Sequence, residues 1–281
     1  MNILYCGDEN IEAGLIISIL SLLKNEKEKL HIYVLTMNIQ NHLREFKGIS
    51  DFSINYLDSR VKKVNKNNFV KKIDVTELFN EELPEKNMET RFTPFCMLRL
   101  FADKIPEIPN KILYLDTDVI CRKDCAKFYN QDISKYELVG VLDHYGKWFF
   151  KKNIFRFDYM NSGVLLLNLK KIRETKLFHR CREMCRDEEM FMPDQSAINK
   201  LVTYKKLVPR KYNEQRKLHK DTIFQHFTTS FRFFPWLHTV TVKPWQIDRV
   251  HSELKIKEYD DIFKEYTAII QNMKLIKEEQ I

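Results

Sequence analysis

The chain has 281 residues, 44% of them hydrophobic and 31% charged, with 6 Gly and 8 Pro. That composition excludes disordered, collagen-like and low-complexity chains and suits one large globular domain, or a domain with an appendage. The excess of 47 basic over 39 acidic residues gives a net charge of +8, concentrated in "RVKKVNKNNFVKK" and "YKKLVPRKYNEQRKLHK", and suits nucleotide phosphates or an anionic membrane face if it is not simply solvated lysine; no aromatic-rich platform for nucleic acid accompanies it.

In chain order, "NILYC" is a short apolar strand followed by the polar turn "GDEN". It reaches acidic residues without a basic leader, and no apolar run is long enough for a bilayer, so the expected location is cytoplasmic. Ile11, Leu15, Ile19, Leu22 and Leu23 then recur at helical spacing. "LHIYVLT" predicts a second strand, "NIQNHLREFKG" a helix and "DFSINYL" a third strand. "KILYL" is a strand ending at Asp116, "ELVGVLD" one ending at Asp143, and "NSGVLLLNLKK" a strand entering a helix. "MPDQSAINKL" opens a helix with Pro193 and a first-turn acid. Strands alternating with helices predict an α/β fold, a mostly parallel sheet sandwiched by helices with its crevice at the strands' carboxyl ends. "HRCREMCRD" reads as helical, and its Cys181 and Cys185 echo the spacing of Cys121 and Cys125. Nothing in the spacing brings the two pairs together on a zinc ion, so buried free thiols are expected. Residues 251–281 form a separate C-terminal amphipathic helix, with Tyr259, Ile262, Phe263, Tyr266, Ile269, Ile270, Met273 and Ile276 on one face. It could pack on its own body, which is the reading favoured here, pair with a second copy, or lie on a membrane surface.

The chemistry is concentrated on one rim. Asp116 and Asp118 in "LDTDV" place two carboxylates beyond a buried strand, where a hard dication can hold them together and share its shell with a diphosphate. His226 in "QHFTT" offers an imidazole to that ion. Asp8 or Asn10 can hydrogen-bond a planar base, Lys243 in "VKPW" can neutralise phosphate, and Asp194 with Gln195 bring a carboxylate and an amide to a helix start. A cation holding a diphosphate improves it as a leaving group, which points to group transfer from a nucleotide diphosphate.

"NILYCGDEN", "FTPFCMLRLFADKIPEIPNKILYLDTDVICRKD", "YMNSGVLLLNL", "MPDQSAIN" and "HF" followed by "VKPW" occur in that order over residues 2 to 247. Together they resemble the retaining glycosyltransferases of family 8, which include bacterial lipopolysaccharide galactosyl- and glucosyltransferases and glycogenin. The resemblance implies a GT-A nucleotide-diphospho-sugar transferase fold over residues 1–250, a UDP-glucose or UDP-galactose donor, Mn²⁺ with Mg²⁺ as the alternative, and a saccharide, glycolipid or glycoprotein acceptor. It assigns Asp116, Asp118 and His226 to the metal, and Cys6, Asp8, Asn10, Thr117, Lys243 and Trp245 to UDP. It places Arg99, Asp143, Asn161 and Ser162 near donor sugar or acceptor, and Asp194 and Gln195 beside the anomeric carbon. Three departures stand out. Ile11 replaces an aromatic ring against uracil. Met97 replaces an arginine, with Arg99 two residues on and expected to face elsewhere on its helix. The stretch 227–242 enlarges the His226-to-Lys243 loop, either as lid or acceptor-side structure or as a hydrophobic plug. Two rival functions follow: a degenerate member that binds UDP-sugar without turnover, and a sugar-nucleotide pyrophosphorylase, although "YCGDENIEAG" lacks that class's glycine-rich loop.

Overall fold

Strand after strand is buried on both faces, the pattern of a sheet covered by helices on each side. The computed structural model describes residues 1–40, 45–89, 93–144, 158–232 and 238–279. In chain order the strands are β1 Asn2–Cys6, β2 His31–Thr36, β3 Ile39–Gln40, β4 Glu45–Phe46, β5 Phe69–Asp74, β6 Lys111–Leu115 and β7 Val119–Cys121. They continue as β8 Leu138–Leu142, β9 Met160–Asn168, β10 Lys205–Leu207, β11 Phe224–His226, β12 Ser230–Arg232 and β13 His238–Val240. Seven of them form the central sheet in the order β10-β8-β9-β6-β1-β2-β5. All its pairings are parallel except those of β9, which runs against β6 and β8. That one reversal matters for the site. It brings the start of β9 to the rim where β6 ends, so that Asp116 N–H donates to Gly163 O at 2.8 Å.

Alternation along each strand splits the core into two layers. Ile3, Tyr5, Leu113 and Leu115 face the helices Glu12–Asn25, Asp51–Val64 and Asp260–Glu279. Leu4, Ile112 and Tyr114 face Pro94–Lys104, Leu177–Asp187 and Pro193–Leu201. Cys121 and Cys125 lie in the first layer and Cys181 and Cys185 in the second, so no four-cysteine site can form; all six cysteines are free.

Two expected elements are corrected. "DFSINYL" is the first half of the helix Asp51–Val64: Ser50 caps it by accepting from Ser53 N–H, and Ile54, Leu57 and Val61 bury one helical stripe. The third strand of the central sheet is β5, from "FVKKID", whose lysines sit on the sheet edge where charge discourages further pairing. The expected helix in "NIQNHLREFKG" is instead the antiparallel pair β3–β4, residues 41–44 lying outside the described residues. At the C-terminus, Tyr259, Ile262, Phe263, Ile269 and Met273 are buried in the same apolar cluster as Leu15 and Leu22. Ion pairs from Lys24 to Asp261 and from Arg60 to Glu265 flank that contact, so the helix packs on its own body. Among the described residues no helix is long and apolar enough to cross a membrane.

Candidate active site

Along the carboxyl rim of the sheet lies a cleft of about 600 Å³. Every residue assigned above from the sequence lines it except Asn10. Asn10 is exposed and turned back on Asp8, donating its backbone N–H (3.0 Å) and side-chain amide (3.1 Å) to the Asp8 carboxylate. Asp8 thus caps the short 3₁₀ turn that carries Asn10, and of the two it is Asp8 that lines the cleft.

Three strand ends supply the central triad. Asp116 and Asp118 follow β6, and His226 closes β11, which pairs with β7 so that His226 stands opposite Val119. The ligand atoms of the three side chains lie within 4.8 Å of one another. His226 Nε2 is 3.2 Å from Asp118 Oδ1 and 3.5 Å from Asp116 Oδ2. Gly163 keeps this space open: a Cβ there would stand 2.1 Å from His226 Cε1 and 2.8 Å from Asp116 Oδ2. Two carboxylates and an imidazole converging on a space kept clear by glycine fit a hexacoordinate dication of the Mn²⁺ or Mg²⁺ type. Gly163→Ala should therefore lower activity and metal affinity together; a variant with wild-type metal titration would show that the space is not needed.

Charge balance around the triad is explicit. Lys243 donates to Asp118 and, at 3.1 Å, to Phe227 O. Burial alone would raise the Asp118 pKa, but Lys243 and His226 pull it well below the ordinary aspartate range. Burial alone would likewise lower that of His226, yet Asp118 above all, then Asp116, lifts it over the usual histidine value. Metal-free, the imidazole therefore keeps its proton to higher pH than an ordinary histidine. Its folded pKa is raised, so the associated stability is complete below about 6.5 and is lost as pH rises through the folded value. A metal must displace that proton. Metal affinity should accordingly rise with pH, by up to about tenfold per unit while His226 is protonated; calorimetric titration at several pH values measures the slope, and a flat profile would contradict the assignment.

The orientation of His226 is set by a residue the sequence reading missed. Asn213, fully buried, accepts from His226 Nδ1 at 3.1 Å and donates its amide to Asn161 Oδ1 at 2.8 Å. Asn161 Oδ1 also accepts from Gly163 N–H, and its amide donates to Asp143 Oδ2 at 3.0 Å. Asp143 Oδ2 accepts in addition from Gln195 Nε2 at 3.2 Å, while Gln195 Oε1 accepts from Ser162 N–H and hydroxyl at 2.9 and 3.1 Å. Each amide in this chain has one consistent orientation, which makes His226 Nδ1 the donor and leaves Nε2 for the metal. Asn213→Ala should weaken metal binding about 10–100-fold while leaving rate at saturating metal less affected; an unchanged metal titration would remove Asn213 from the machinery. Its sequence signal is weak, because it sits in an irregular stretch without a motif.

Arg99 is the second surprise. The segment Pro94–Lys104 is a 3₁₀ helix, in which residues two apart lie on different faces. Met97 is buried in the core, and Arg99 faces the site, against expectation. Its guanidinium donates to Asp116 Oδ1 (3.1 Å) and Ser162 O (2.7 Å), lies 3.9 Å above the Tyr114 ring, and has Nε 3.2 Å from Asp194 Oδ2. Since Nε donates to Cys96 O, the contact with Asp194 is one of charge, and Asp194 Oδ2 has no hydrogen-bond partner. Burial pushes the Asp194 carboxyl above the ordinary value, opposed by Arg99 and aided by Asp116. Tyr114, also missed, donates to Asp116 Oδ1 at 2.6 Å.

Around the triad, Cys6, Ile11, Thr117, Trp245, Phe191, Met192 and Asp143 complete the lining of the cleft. Burial raises the Cys6 thiol's pKa far above its ordinary value. The enlarged loop contributes the antiparallel pair β12–β13; Thr228, Thr229 and Thr239 line the cleft, with Thr229 and Thr241 hydroxyls 2.8 Å apart. Its tip, residues 233–237, lies outside the described residues.

A mostly parallel sheet with paired acids at its switch point and helices on both faces is the GT-A architecture of nucleotide-sugar transferases. A family model for glycosyl transferase family 8 matches residues 2–248, and the chain belongs to that family. A solved galactosyltransferase, LgtC, in complex with donor and acceptor sugar analogs superposes with a TM-score of 0.68 at 20% identity, over 95% of this chain and 96% of that one. The lipopolysaccharide 1,2-glucosyltransferase of Escherichia coli is 24% identical over 262 residues, covering 84% of this chain and 73% of its own. A Haemophilus influenzae relative is 26% identical over 223 residues, 76% of this chain; the match spans only 63% of that relative's length.

Proposed function

We propose that this chain is a retaining hexosyltransferase that moves glucose or galactose from a UDP-sugar to a saccharide, glycolipid or glycoprotein acceptor with Mn²⁺, Mg²⁺ being the alternative ion. The observation that carries this reading is the convergence, in one cleft, of Asp116, Asp118 and His226 with Lys243 nearby and Asp194 and Gln195 across from them. The E. coli relative's name and the sugar analogs bound to LgtC support the substrate class.

When bound, the divalent ion stabilises negative charge on the departing diphosphate. The protein's own groups do the rest. Lys243, exchanging Asp118 for a phosphate oxygen, supplies a second positive charge. Asp8, Cys6 and Trp245 bound the nucleoside end. Arg99 ties Asp116 to the Asp194 side, so the residues that would hold the metal and those that would face the anomeric carbon are held in a fixed relation. Gln195 is held by Ser162 and Asp143. In this reading Asp194 and Gln195 stabilise an oxocarbenium-like species and orient it, and the leaving diphosphate oxygen takes the acceptor's hydroxyl proton on the same face. A covalent sugar trapped on Asp194 and seen by mass spectrometry would overturn that route.

The direct test is a panel of UDP-sugars assayed for UDP release with and without Mn²⁺. Release of UDP and free hexose, abolished by chelation, supports the proposal; UTP formation from pyrophosphate marks a pyrophosphorylase, and binding without turnover a degenerate member. Removing Lys243 should weaken UDP far more than uridine, by about tenfold or more, because the lost contact is to phosphate; equal weakening would contradict its role. A lipid-linked acceptor would place the enzyme in the cytoplasm, touching the inner membrane face.

A further inference from the structure

A second cluster of ligating side chains lies in the opposite direction along β7. Glu26 follows the helix Glu12–Asn25, Cys121 ends β7, and Cys125 precedes the short helix Ala126–Tyr129. Their ligand atoms lie within 4.8 Å of one another, and all three residues are buried, Glu26 being 9% exposed. Cys121 Sγ is 3.8 Å from Glu26 Oε1, and Met1 Sδ is 3.7 Å from Cys125 Sγ. The frame around them is rigid: Cys121 N–H donates to Ser21 Oγ, Asn25 Nδ2 donates to Cys121 O, and Cys125 N–H donates to Glu26 Oε1.

One atom is unexplained by this frame. Glu26 Oε2 is buried with no hydrogen-bond partner. As a carboxylate oxygen it is an unpaired charge site in a dry environment. Protonation does not resolve this, because an O–H on Oε2 would find no acceptor. We propose that Glu26, Cys121 and Cys125 form a closed structural site for a borderline-soft divalent cation of the zinc type, with the Met1 thioether alongside. Two thiolates and a carboxylate select such an ion over Mg²⁺ or Mn²⁺, whereas the Asp116–Asp118–His226 triad, with oxygen and imidazole donors only, selects the reverse. Loading such an ion displaces the two thiol protons to solvent, because the ligand is the thiolate.

The consequence is positional. β7 begins directly after Asp118 and pairs with β11, Cys121 opposite Phe224 and Val119 opposite His226. A cation at Cys121 pins the far end of that two-stranded piece to the helix Glu12–Asn25, so the strands bearing Asp118 and His226 are clamped from outside the cleft.

The test is metal content of the full chain, produced with zinc and dialysed. Wild type and Asp118→Asn should both retain one zinc per chain, and Cys121→Ser and Cys125→Ser should lose it. Glu26→Gln should release zinc about tenfold more readily. Cobalt in place of zinc should give a thiolate-to-metal charge-transfer band that Cys121→Ser abolishes. Should the serine variants fail to fold, wild type decides alone: a zinc-induced rise in thermal midpoint with the cobalt band supports the site. Absence of bound zinc, with no midpoint shift and both thiols reacting equally fast with and without zinc, would overturn it. So would a Cys121–Cys125 disulfide in the native protein.

Discussion

Asp118→Asn should reduce kcat/KM by roughly a thousandfold and raise the Mn²⁺ concentration needed for half-maximal rate, because it removes charge and a donor oxygen at once. Asp118 is the only residue of the triad that both partners engage: His226 Nε2 lies 3.2 Å from one oxygen, and Lys243 donates to the other. An asparagine keeps the shape but loses the negative charge that binds the ion. It also frees Lys243, itself half-buried, from its counter-ion. The stability contribution is separable by pH. The depressed pKa of Asp118 contributes stability that is present above about 3.9 and is lost as pH falls through the folded value. The variant should therefore lose stability relative to wild type at neutral pH, with the difference shrinking in acid. Initial rates against Mn²⁺ concentration, and denaturant melts at two pH values, measure both effects. A variant with unchanged rate and unchanged metal requirement would remove Asp118 from the ligand set.

How far the sequence led follows from which residues carry local chemical signals. "KILYLDTDV" is legible because four buried strand residues followed by two acids mark a strand ending at a polar rim. The reach of β9 to that rim is less obvious, since nothing in "NSGVLLLN" says that the strand runs antiparallel to β6. "DFSINYL" misled because Phe52, Ile54 and Tyr56 alternate with polar residues over the same seven positions where Ile54, Leu57 and Val61 begin a helical stripe; Ser50 as cap was the deciding signal. β5 was hidden by its lysines, which an edge strand tolerates and a central one does not. Asn213 was invisible for a different reason. Its function is to hold a histidine thirteen residues away, and the contact exists only once β11 has paired with β7. Arg99 was in view but aimed wrongly, because the face of Met97 was taken for the site face, whereas Met97 is buried in the core and Arg99, on another face, lines the cleft.

That geometry makes Arg99 the residue whose removal should hurt most. Its side chain is 4% exposed and stands between the carboxylates of Asp116 and Asp194, with Ser162 O and Cys96 O taking further N–H donors. Arg99→Met fills much of the volume but leaves a buried carboxylate facing an apolar chain, so the expected loss of stability is about 3–5 kcal/mol. The sign of its pH dependence follows from Asp194. That carboxyl is already raised by burial, and without Arg99 it is raised further, so the penalty grows as pH climbs above the ordinary aspartate value and levels off once the folded carboxyl ionises. Arg99→Lys restores the charge but not the planar fork that reaches Asp116, Ser162 and Cys96 together, so it should recover part of the stability and little of the activity. Denaturant melts in mildly acidic and neutral buffer, set beside kcat and KM for the donor, distinguish the two variants. A methionine variant with a wild-type melting midpoint at neutral pH would mean that Asp116 and Asp194 do not depend on Arg99, and an equally active lysine variant would mean that charge alone, without the fork, positions them.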